Sequence, residues 1–137
     1  PLLEQLVSRH GFTAVDADSI DDFIHAAGHA MLVFTEDPVR YKETLDLAVI
    51  APEVARAFAG QFRIGVLYPD AARKVAPRFG FARWPALVML RDAAYVGAID
   101  GLRNWDEYLN ETQQLLTAEP TRPPSVGIAV KSASSCC

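Results

Sequence analysis

The sequence predicts an α/β fold in which helices flank a central mixed β-sheet. Short apolar runs typical of buried strands alternate with segments of helical periodicity through most of the chain. Two strand-like runs then follow one another with no helix between them, which requires an antiparallel pair. A last segment of helical periodicity comes after this pair. The predicted order of elements is therefore β-α-β-α-β-α-β-β-α.

The first strand and the first helix are predicted at the beginning of this order. The apolar run Phe12–Val15 is typical of a strand, and Asp16 and Asp18 offer carboxylates that can cap a helix. Apolar residues then recur at helical spacing: Ile20, Phe23, Ile24 and Ala27. Gly28 is expected to end this helix.

A charged loop separates the second strand from a long helix. Ala30–Thr35 is a continuous apolar run, as expected of a strand that is covered on both faces of the sheet. Residues 36–42 interrupt this run with a proline and several charges. A helix is then predicted from Thr44 to Phe58, and Pro52 within it should kink the axis because proline has no N–H group.

The third unit repeats the strand-helix pattern. Phe62–Tyr68 is rich in residues that favour strands. Asp70 is expected to cap a short helix that runs to Phe79 and ends at Gly80.

The last part of the fold is a hairpin followed by a helix. Ala86–Leu90 and Tyr95–Ile99 are predicted strands joined by a short turn. Asn104 followed by Glu107 is the pattern of a capping box, which predicts the start of the last helix. The apolar stripe of that helix is expected to comprise Trp105, Tyr108, Leu109, Leu115 and Leu116.

Length and composition indicate one domain with a tail. The chain has 137 residues, of which 50% are hydrophobic and 22% are charged, as in an ordinary globular domain. Prolines and small residues dominate after Glu119, so we expect a domain at 1–119 and a flexible tail at 120–137. The sequence has neither a run that could span a bilayer nor a secretory signal pattern, which predicts a cytoplasmic protein without membrane insertion.

Charge and ligand patterns exclude several classes of function. The net charge of -4 disfavours nucleic acid as a partner, although residues 54–83 carry six basic side chains that we interpret as solvated helix faces. His25 and His29 have the spacing of metal ligands, but Gly28 should end the helix between them and no third ligand is near. We therefore predict no metal site and no cofactor.

Cysteine is confined to the last two positions, Cys136 and Cys137. These residues cannot cross-link the core, and no thiol is available elsewhere for redox chemistry. A resolving dithiol, a metal-binding tip and a lipidation site are open interpretations of the pair. The favoured interpretation is an end without a role in the mechanism.

The second half of the chain resembles a thioredoxin. The resemblance is carried by APRFG from Ala76, by Trp84-Pro85 before the strand ALVML, and by Ala51-Pro52 in the kinked helix. In that family the proline at the position of Pro85 is cis and borders a groove that accepts extended peptides. The spacing of the family places its Cys-x-x-Cys motif on Thr44–Leu47, where neither cysteine is present. The resemblance therefore implies a thioredoxin-like fold without the thioredoxin reaction.

The loop in place of the redox motif resembles one family more closely. FTEDPVRYKETLDLAVIAPEV and RWPALV are similar to segments of the HyaE/HupG family of hydrogenase expression/formation proteins, and the resemblance covers about residues 12–117. It implies a cytoplasmic accessory protein, not an enzyme, for [NiFe] hydrogenase maturation. The implied partner is the hydrogenase small-subunit precursor with its twin-arginine signal peptide. Binding to other maturation factors and homo-oligomerisation stay open.

Six residues form the candidate partner-binding site. Four carboxylates cluster around the replaced redox loop: Glu36, Asp37, Glu43 and Asp46. Carboxylates are suitable partners for the arginines of a peptide, and Trp84 and Pro85 would line the adjacent groove. The alternatives are a solvated loop with favourable acidic charge at a helix N-terminus, and a tryptophan that only packs over the hairpin.

Two other classes of function stay open. A thiol-disulfide oxidoreductase would have to use Cys136 and Cys137 as its dithiol. A structural interaction module would use the fold itself, with dimerisation through an edge of the sheet.

Overall fold

The structure is a computed structural model that describes residues 2–124. The strands are β1 (Thr13–Ala14), β2 (His29–Phe34), β3 (Arg63–Leu67), β4 (Ala86–Arg91) and β5 (Ala94–Asp100). The α-helices are α1 (Leu2–Ser8), α2 (Ile20–His25), α3 (Glu43–Ala57), α4 (Pro69–Val75) and α5 (Trp105–Thr117). From β1 to α5 the predicted order of elements is confirmed. Helix α1 is an addition to that order.

The five strands form one mixed sheet in the order β1-β3-β2-β4-β5. Strand β3 pairs parallel with β1 and β2, whereas β4 pairs antiparallel with β2 and β5. Phe34 lies opposite Ala86, and Ala86 lies opposite Asp100. These three residues lie at the ends of their strands, and we call this end of the sheet its upper edge. The loops after β2, before β4 and after β5 therefore meet at this edge.

Apolar side chains pack on both faces of the sheet. Alternate residues of β2 point to opposite faces, so Met31 and Val33 belong to one core cluster and Leu32 and Phe34 to the other. The first cluster is completed by residues of α1, α3 and α5, including Leu6, Leu47, Val54 and Tyr108. The second is completed by residues of α2 and α4, including Ile20, Ile24, Ala72 and Val75. Burial of each large side chain stabilises the fold by about 1.5–3 kcal/mol.

Helix α1 is held against α3 and the first core cluster. Leu6 is fully buried there, and the hydroxyl of Tyr68 donates to the carbonyl oxygen of Leu3 at 3.1 Å. A seven-residue helix spans only two turns, so its apolar spacing is too short to stand out in the sequence. Within residues 2–124, no helix is both long and apolar enough to cross a membrane.

Two predicted helix caps are wrong in detail. Helix α4 begins at Pro69 after Tyr68, so Asp70 lies in its first turn and does not cap it. Proline suits the first helical position because its fixed φ is already helical and its missing N–H would have had no partner. The N-cap position of α2 is occupied by Ser19, which makes no side-chain capping hydrogen bond. Its N–H donates to the carboxylate of Asp16 at 2.9 Å. This hydrogen bond from Ser19 is the main cause that lowers the pKa of Asp16.

The predicted helix through Phe79 is shorter than expected. Helix α4 ends at Val75 and continues as a single 3-10 turn over Ala76–Arg78. Pro77 explains the change, because proline cannot donate the hydrogen bond that an α-helix would require there. Pro52 lies inside α3 as predicted, and the kink stays a prediction.

The capping box of α5 is confirmed. The N–H of Glu107 donates to Asn104 Oδ1 at 2.9 Å, and the N–H of Asn104 donates to Glu107 Oε1 at 3.0 Å. Tyr108 is buried as predicted, but Trp105 is 43% exposed and does not belong to the buried stripe. Trp105 is the first residue of the helix, where the chain has only begun to pack on the sheet.

Residues 119–124, which we call the strap, continue from α5 along the hairpin. Glu119 forms an ion pair with Arg91 at 3.2 Å, and the N–H of Thr121 donates to the carbonyl oxygen of Tyr95 at 2.8 Å. This part of the predicted tail therefore contacts the domain. The division of the chain at residue 119 stays a prediction, and Cys136 and Cys137 lie outside the described residues.

Candidate functional site

The segment that replaces the redox pair is the first turn of α3. Thr44 is completely buried, and its hydroxyl oxygen accepts the N–H of Glu36 at 3.1 Å. Leu47 is buried in the first core cluster. By spacing, these are the two positions of the thioredoxin cysteines. Both side chains now support the fold, and neither faces solvent.

A cleft opens at the upper edge between the β2–α3 loop and the segment that precedes β4. Its volume is about 380 Å³. Ala76, Pro77, Phe81 and Trp84 form its apolar walls, and Glu36 and Arg73 form its polar end. We call it the Trp84 cleft.

Trp84 is half-buried within an aromatic cluster. Its ring centroid lies 5.0 Å from that of Phe81 and 6.3 Å from that of Phe34, with both pairs edge to face. Edge-to-face pairs of this kind hold rings in a fixed orientation. Trp84 therefore packs on the second core cluster and also presents surface to the cleft. Trp84 thus has features of both alternatives, a ring that packs on the fold and a ring that a partner could contact.

Pro85 follows Trp84 in the chain but is not one of the residues that line the cleft. The Trp84-Pro85 peptide bond is cis, as the resemblance implied. The ring of Pro85 is buried, and its carbonyl oxygen accepts the N–H of Gly101 at 2.9 Å. Pro85 thus joins the segment before β4 to the loop after β5, and it offers a partner little side-chain surface.

Glu36 is already engaged within the molecule. Its side chain is only 9% exposed and forms an ion pair with Arg73. The same carboxylate accepts the N–H of Asp37 at 2.8 Å. Arg73 also binds Asp70 at 2.7 Å, so its guanidinium joins a buried and an exposed carboxylate. A buried carboxylate needs such a partner because burial without one is costly.

The other three carboxylates are more accessible than Glu36. Asp37 is half-buried, and its Oδ1 accepts the N–H of Val39 at 3.0 Å. Glu43 and Asp46 are exposed in the first turn of α3, three residues apart and hence on one side of the helix. These two carboxylates are the ones that a basic partner could reach directly.

Arg73 is the charged residue of the cleft that the sequence analysis did not predict. In the sequence it is one of the basic side chains of residues 54–83 that we interpreted as solvated. The structure brings it to Glu36, which is 37 positions away in the chain. Only its spacing from Asp70 is a local signal, and that spacing predicts an ordinary surface pair on a helix.

Metal-ligand side chains do not converge in the described part of the chain. Among residues 2–124, no group of three or more histidine, cysteine, aspartate or glutamate residues could hold a metal ion. His25 Nδ1 instead contacts the carbonyl oxygen of Asp21 within α2.

Comparison with known sequences points to hydrogenase expression proteins. The profile of the family described as Hydrogenase-1 expression protein HyaE matches residues 2–108. The hydrogenase expression/formation protein HoxO of Cupriavidus necator is 46% identical over 137 aligned residues, which cover 98% of this chain and 85% of that protein.

Two solved structures are similar to this one. The crystal structure described as the hydrogenase expression/formation protein HupG from Rhodopseudomonas palustris has a TM-score of 0.53 and 35% identity, covering 76% of this chain and 94% of that chain. The J-Trx1 fragment of ERdj5 has a TM-score of 0.63 at 18% identity, covering 78% of this chain and 52% of that chain. The second likeness confirms the thioredoxin-like fold that the sequence predicted.

Proposed function

Since the chain belongs to the HyaE family of hydrogenase expression proteins and so has a role in hydrogenase maturation, we propose that it acts there as a non-enzymatic chaperone. Its partner is the precursor of the [NiFe] hydrogenase small subunit, including the twin-arginine signal peptide. Binding takes place in the cytoplasm, before export. Other maturation factors and a second copy of the chain are further candidate partners.

The observation that carries this proposal is the structural use of Thr44 and Leu47. A thioredoxin reaction needs a reachable thiolate at the start of this helix. Here the two positions hold a buried hydroxyl and a core leucine. Glu36, which is bonded to Thr44, lines an accessible cleft, and Glu43 and Asp46 are exposed in the same helical turn. Such an arrangement favours binding over redox chemistry.

The exposed carboxylates suit a partner that carries arginine. A guanidinium group can donate two parallel hydrogen bonds to one carboxylate, which makes the pair directional. In our proposal Glu43 and Asp46 accept hydrogen bonds from arginine side chains of the partner, and Asp37 provides a third carboxylate. Glu36 acts through Arg73 as a positioning residue for the polar end of the cleft.

Apolar residues of the partner would lie on the walls of the same cleft. Trp84 offers the largest ring there, and Pro85 supports the backbone on which that ring is held. Large aromatic side chains in such positions often dominate the binding energy of an interface. Charge at α3 and apolar surface at Trp84 would therefore recognise neighbouring parts of one peptide.

Charge reversal at the exposed carboxylates tests the proposal. We expect Glu43→Lys with Asp46→Lys to weaken binding to the small-subunit precursor by about tenfold or more, because attraction becomes repulsion. The salt dependence of binding should fall as well. Affinity is measured by titrating the full chain against the precursor at two salt concentrations.

The matched control makes the same charge change beside α2, whose residues pack on the second core cluster, whereas α3 packs on the first. Asp18→Lys with Asp22→Lys alters two exposed carboxylates near α2 and should leave affinity for the precursor nearly unchanged. Equal affinities for both double variants would contradict the role of Glu43 and Asp46. Absence of binding by the unmodified chain would contradict the proposed function itself.

A further inference from the structure

Two large apolar side chains are exposed where the chain passes from β5 to α5. Leu102 is 38% exposed in the connecting loop, and Trp105 is 43% exposed at the start of the helix. The two residues are three positions apart, so at most about 11 Å separates their Cα atoms. Neither side chain packs on either core cluster. Adjoining apolar side chains that the fold leaves exposed often mark a contact surface, and we call this pair the Trp105 patch.

Hydrogen bonds hold the loop that carries the patch. The N–H of Gly101 donates to the carbonyl oxygen of Pro85 at 2.9 Å. Arg103 donates to the carbonyl oxygen of Asp100 at 3.1 Å and to the carboxylate of Glu111 at 2.9 Å. The loop is thereby tied to the segment before β4 and to α5. A surface fixed in this way loses little conformational entropy when a partner binds to it.

On one side the loop adjoins the wall of the Trp84 cleft. Asp100 Oδ2 accepts the N–H of Ala82 at 2.8 Å and the N–H of Arg83 at 3.1 Å. These two residues directly precede Trp84. The exposed side chain of Arg83 also lies against Gly101. The side of the patch toward the cleft therefore carries a positive charge.

On the other side the patch adjoins the carboxylates of α3. Helices α3 and α5 are in contact. Burial is the main cause that raises the pKa of Tyr108, and the nearby charge of Asp46 raises it further. Tyr108 lies one turn after Trp105, so Asp46 is close to the start of α5. Asp106 adds an exposed carboxylate beside Trp105, which makes this side of the patch acidic.

We propose that the Trp105 patch binds apolar side chains of the same peptide whose arginines pair with the carboxylates of α3. The patch then joins the two parts of the proposed site into one continuous surface. The inference rests on the proposed function, and it names the part of the partner that this surface takes.

The charges around the patch determine how such a peptide lies. Its basic part lies toward Asp46 and Asp106, since opposite charges attract. Its apolar part crosses Trp105 and Leu102 toward the cleft, where Arg83 would repel a basic residue. The fitting segment is therefore one in which a basic stretch passes directly into an apolar stretch, as in the first part of a signal peptide.

Two synthetic peptides test this chemistry. Both begin with two arginines, which are followed by four leucines in one peptide and by four serines in the other. We expect the full chain to prefer the leucine peptide in calorimetric titrations. Leu102→Ser with Trp105→Ser should reduce this preference by about tenfold, because two apolar contacts are lost.

The matched control removes an apolar side chain elsewhere on the surface. Val49 is 56% exposed on α3 and lines a different groove, which α3 forms with the end of α1. Val49→Ser should therefore keep the preference for the leucine peptide.

Contact with the patch is measured directly through the fluorescence of Trp105. Trp84→Phe leaves Trp105 as the one tryptophan of the chain. Its emission should shift to shorter wavelength when the leucine peptide is added, because the ring passes from water into an apolar contact. The serine peptide should cause no such shift.

The outcomes separate this inference from the proposed function. Binding of the precursor by the parent, with an equal leucine preference in the parent and in the Leu102→Ser, Trp105→Ser variant, would overturn the inference and leave the function standing. Failure of the parent to bind the precursor or either peptide would overturn both. A shift of Trp105 emission with rising protein concentration alone would also overturn the inference, because a second copy of the chain would then cover the patch.

Discussion

Arg73 is the residue on which the polar end of the Trp84 cleft depends. Its guanidinium binds the buried carboxylate of Glu36 and the exposed carboxylate of Asp70. The two ion pairs differ in how much they contribute to the stability of the fold. The pair with Asp70 is open to water and contributes little to stability, whereas Glu36 would be left buried and unpaired without Arg73.

We expect Arg73→Ala to lower the free energy of unfolding by about 1–3 kcal/mol, less than for a fully buried pair because the arginine is half-exposed. Urea unfolding measures the change, and Lys74→Ala, an exposed neighbour, is the control. Adding Glu36→Gln to Arg73→Ala should recover part of the loss, since a neutral amide is less costly to bury. No recovery in the double variant would show that the pair does not stabilise the fold by charge.

Individual residues also mark the limit of sequence-based prediction. Trp84 and Glu36, two of the predicted partner-binding residues, line the cleft, but their packing could not be predicted from the sequence. Exposure depends on which distant side chains cover a residue. Phe34 and Phe81 cover part of Trp84, and Arg73 covers Glu36.

Among the elements, α5 is the one with the clearest start signal. Asn104 and Glu107 satisfy two N–H groups that have no partner within the helix. The helix packs on the sheet and carries Tyr108 into the first core cluster. Loss of the cap should therefore lower the stability of the whole domain.

We expect Asn104→Ala to lower the free energy of unfolding by about 1 kcal/mol, the usual value for loss of an asparagine cap. Asn110→Ala is a matched control on the exposed side of the same helix, where alanine is the better helix former. Thermal unfolding of both variants measures the difference. If both substitutions have the same effect, the cap does not contribute to stability.

The elements that were predicted well share a local cause. Apolar runs define β2 and β4, and the capping box defines α5, because each signal lies within a few residues. Helix α1 was missed because two turns give too little periodicity. The cap of α4 was misplaced because Pro69 took the first position of the helix.

At the scale of the molecule, the candidate site is assembled from distant segments. The upper edge brings together loops that the sequence separates by tens of residues, and only the strand register determines which of them meet. The resemblance to known families predicted a peptide groove at Trp84 and Pro85, and of these two residues Trp84 lines the cleft. It did not predict that Glu36 is paired with Arg73 or that Pro124 lies against Gly80.

Three tyrosines make the stability of the fold depend on pH in the alkaline range. Burial raises the pKa of Tyr68, Tyr95 and Tyr108 above the usual value of 10.0. In the unfolded chain these phenols ionise near pH 10, while in the folded protein they stay neutral to higher pH. Their contribution is therefore fully present below about pH 10 and is lost as the pH rises through the folded values.

We expect the urea concentration at the midpoint of unfolding to fall when the pH is raised from about 8 to about 10.5. The fall should be smaller in Tyr95→Phe. Tyr95 is suitable because its ring is buried against Phe79 and phenylalanine preserves that contact. Comparison of the two proteins removes the effect of lysines that titrate in the same range. An equally steep fall in both would contradict a role for Tyr95.

The buried place of Thr44 also bears on whether thioredoxin chemistry could be introduced into this fold. Two substitutions, Thr44→Cys and Leu47→Cys, would restore the sulfur atoms at the spacing of a thioredoxin. They would not restore the reaction, because both side chains are enclosed by the core and a substrate disulfide could not approach them. An active thiol pair would first require the β2–α3 loop to be rebuilt, so packing as well as the missing cysteines prevents the reaction.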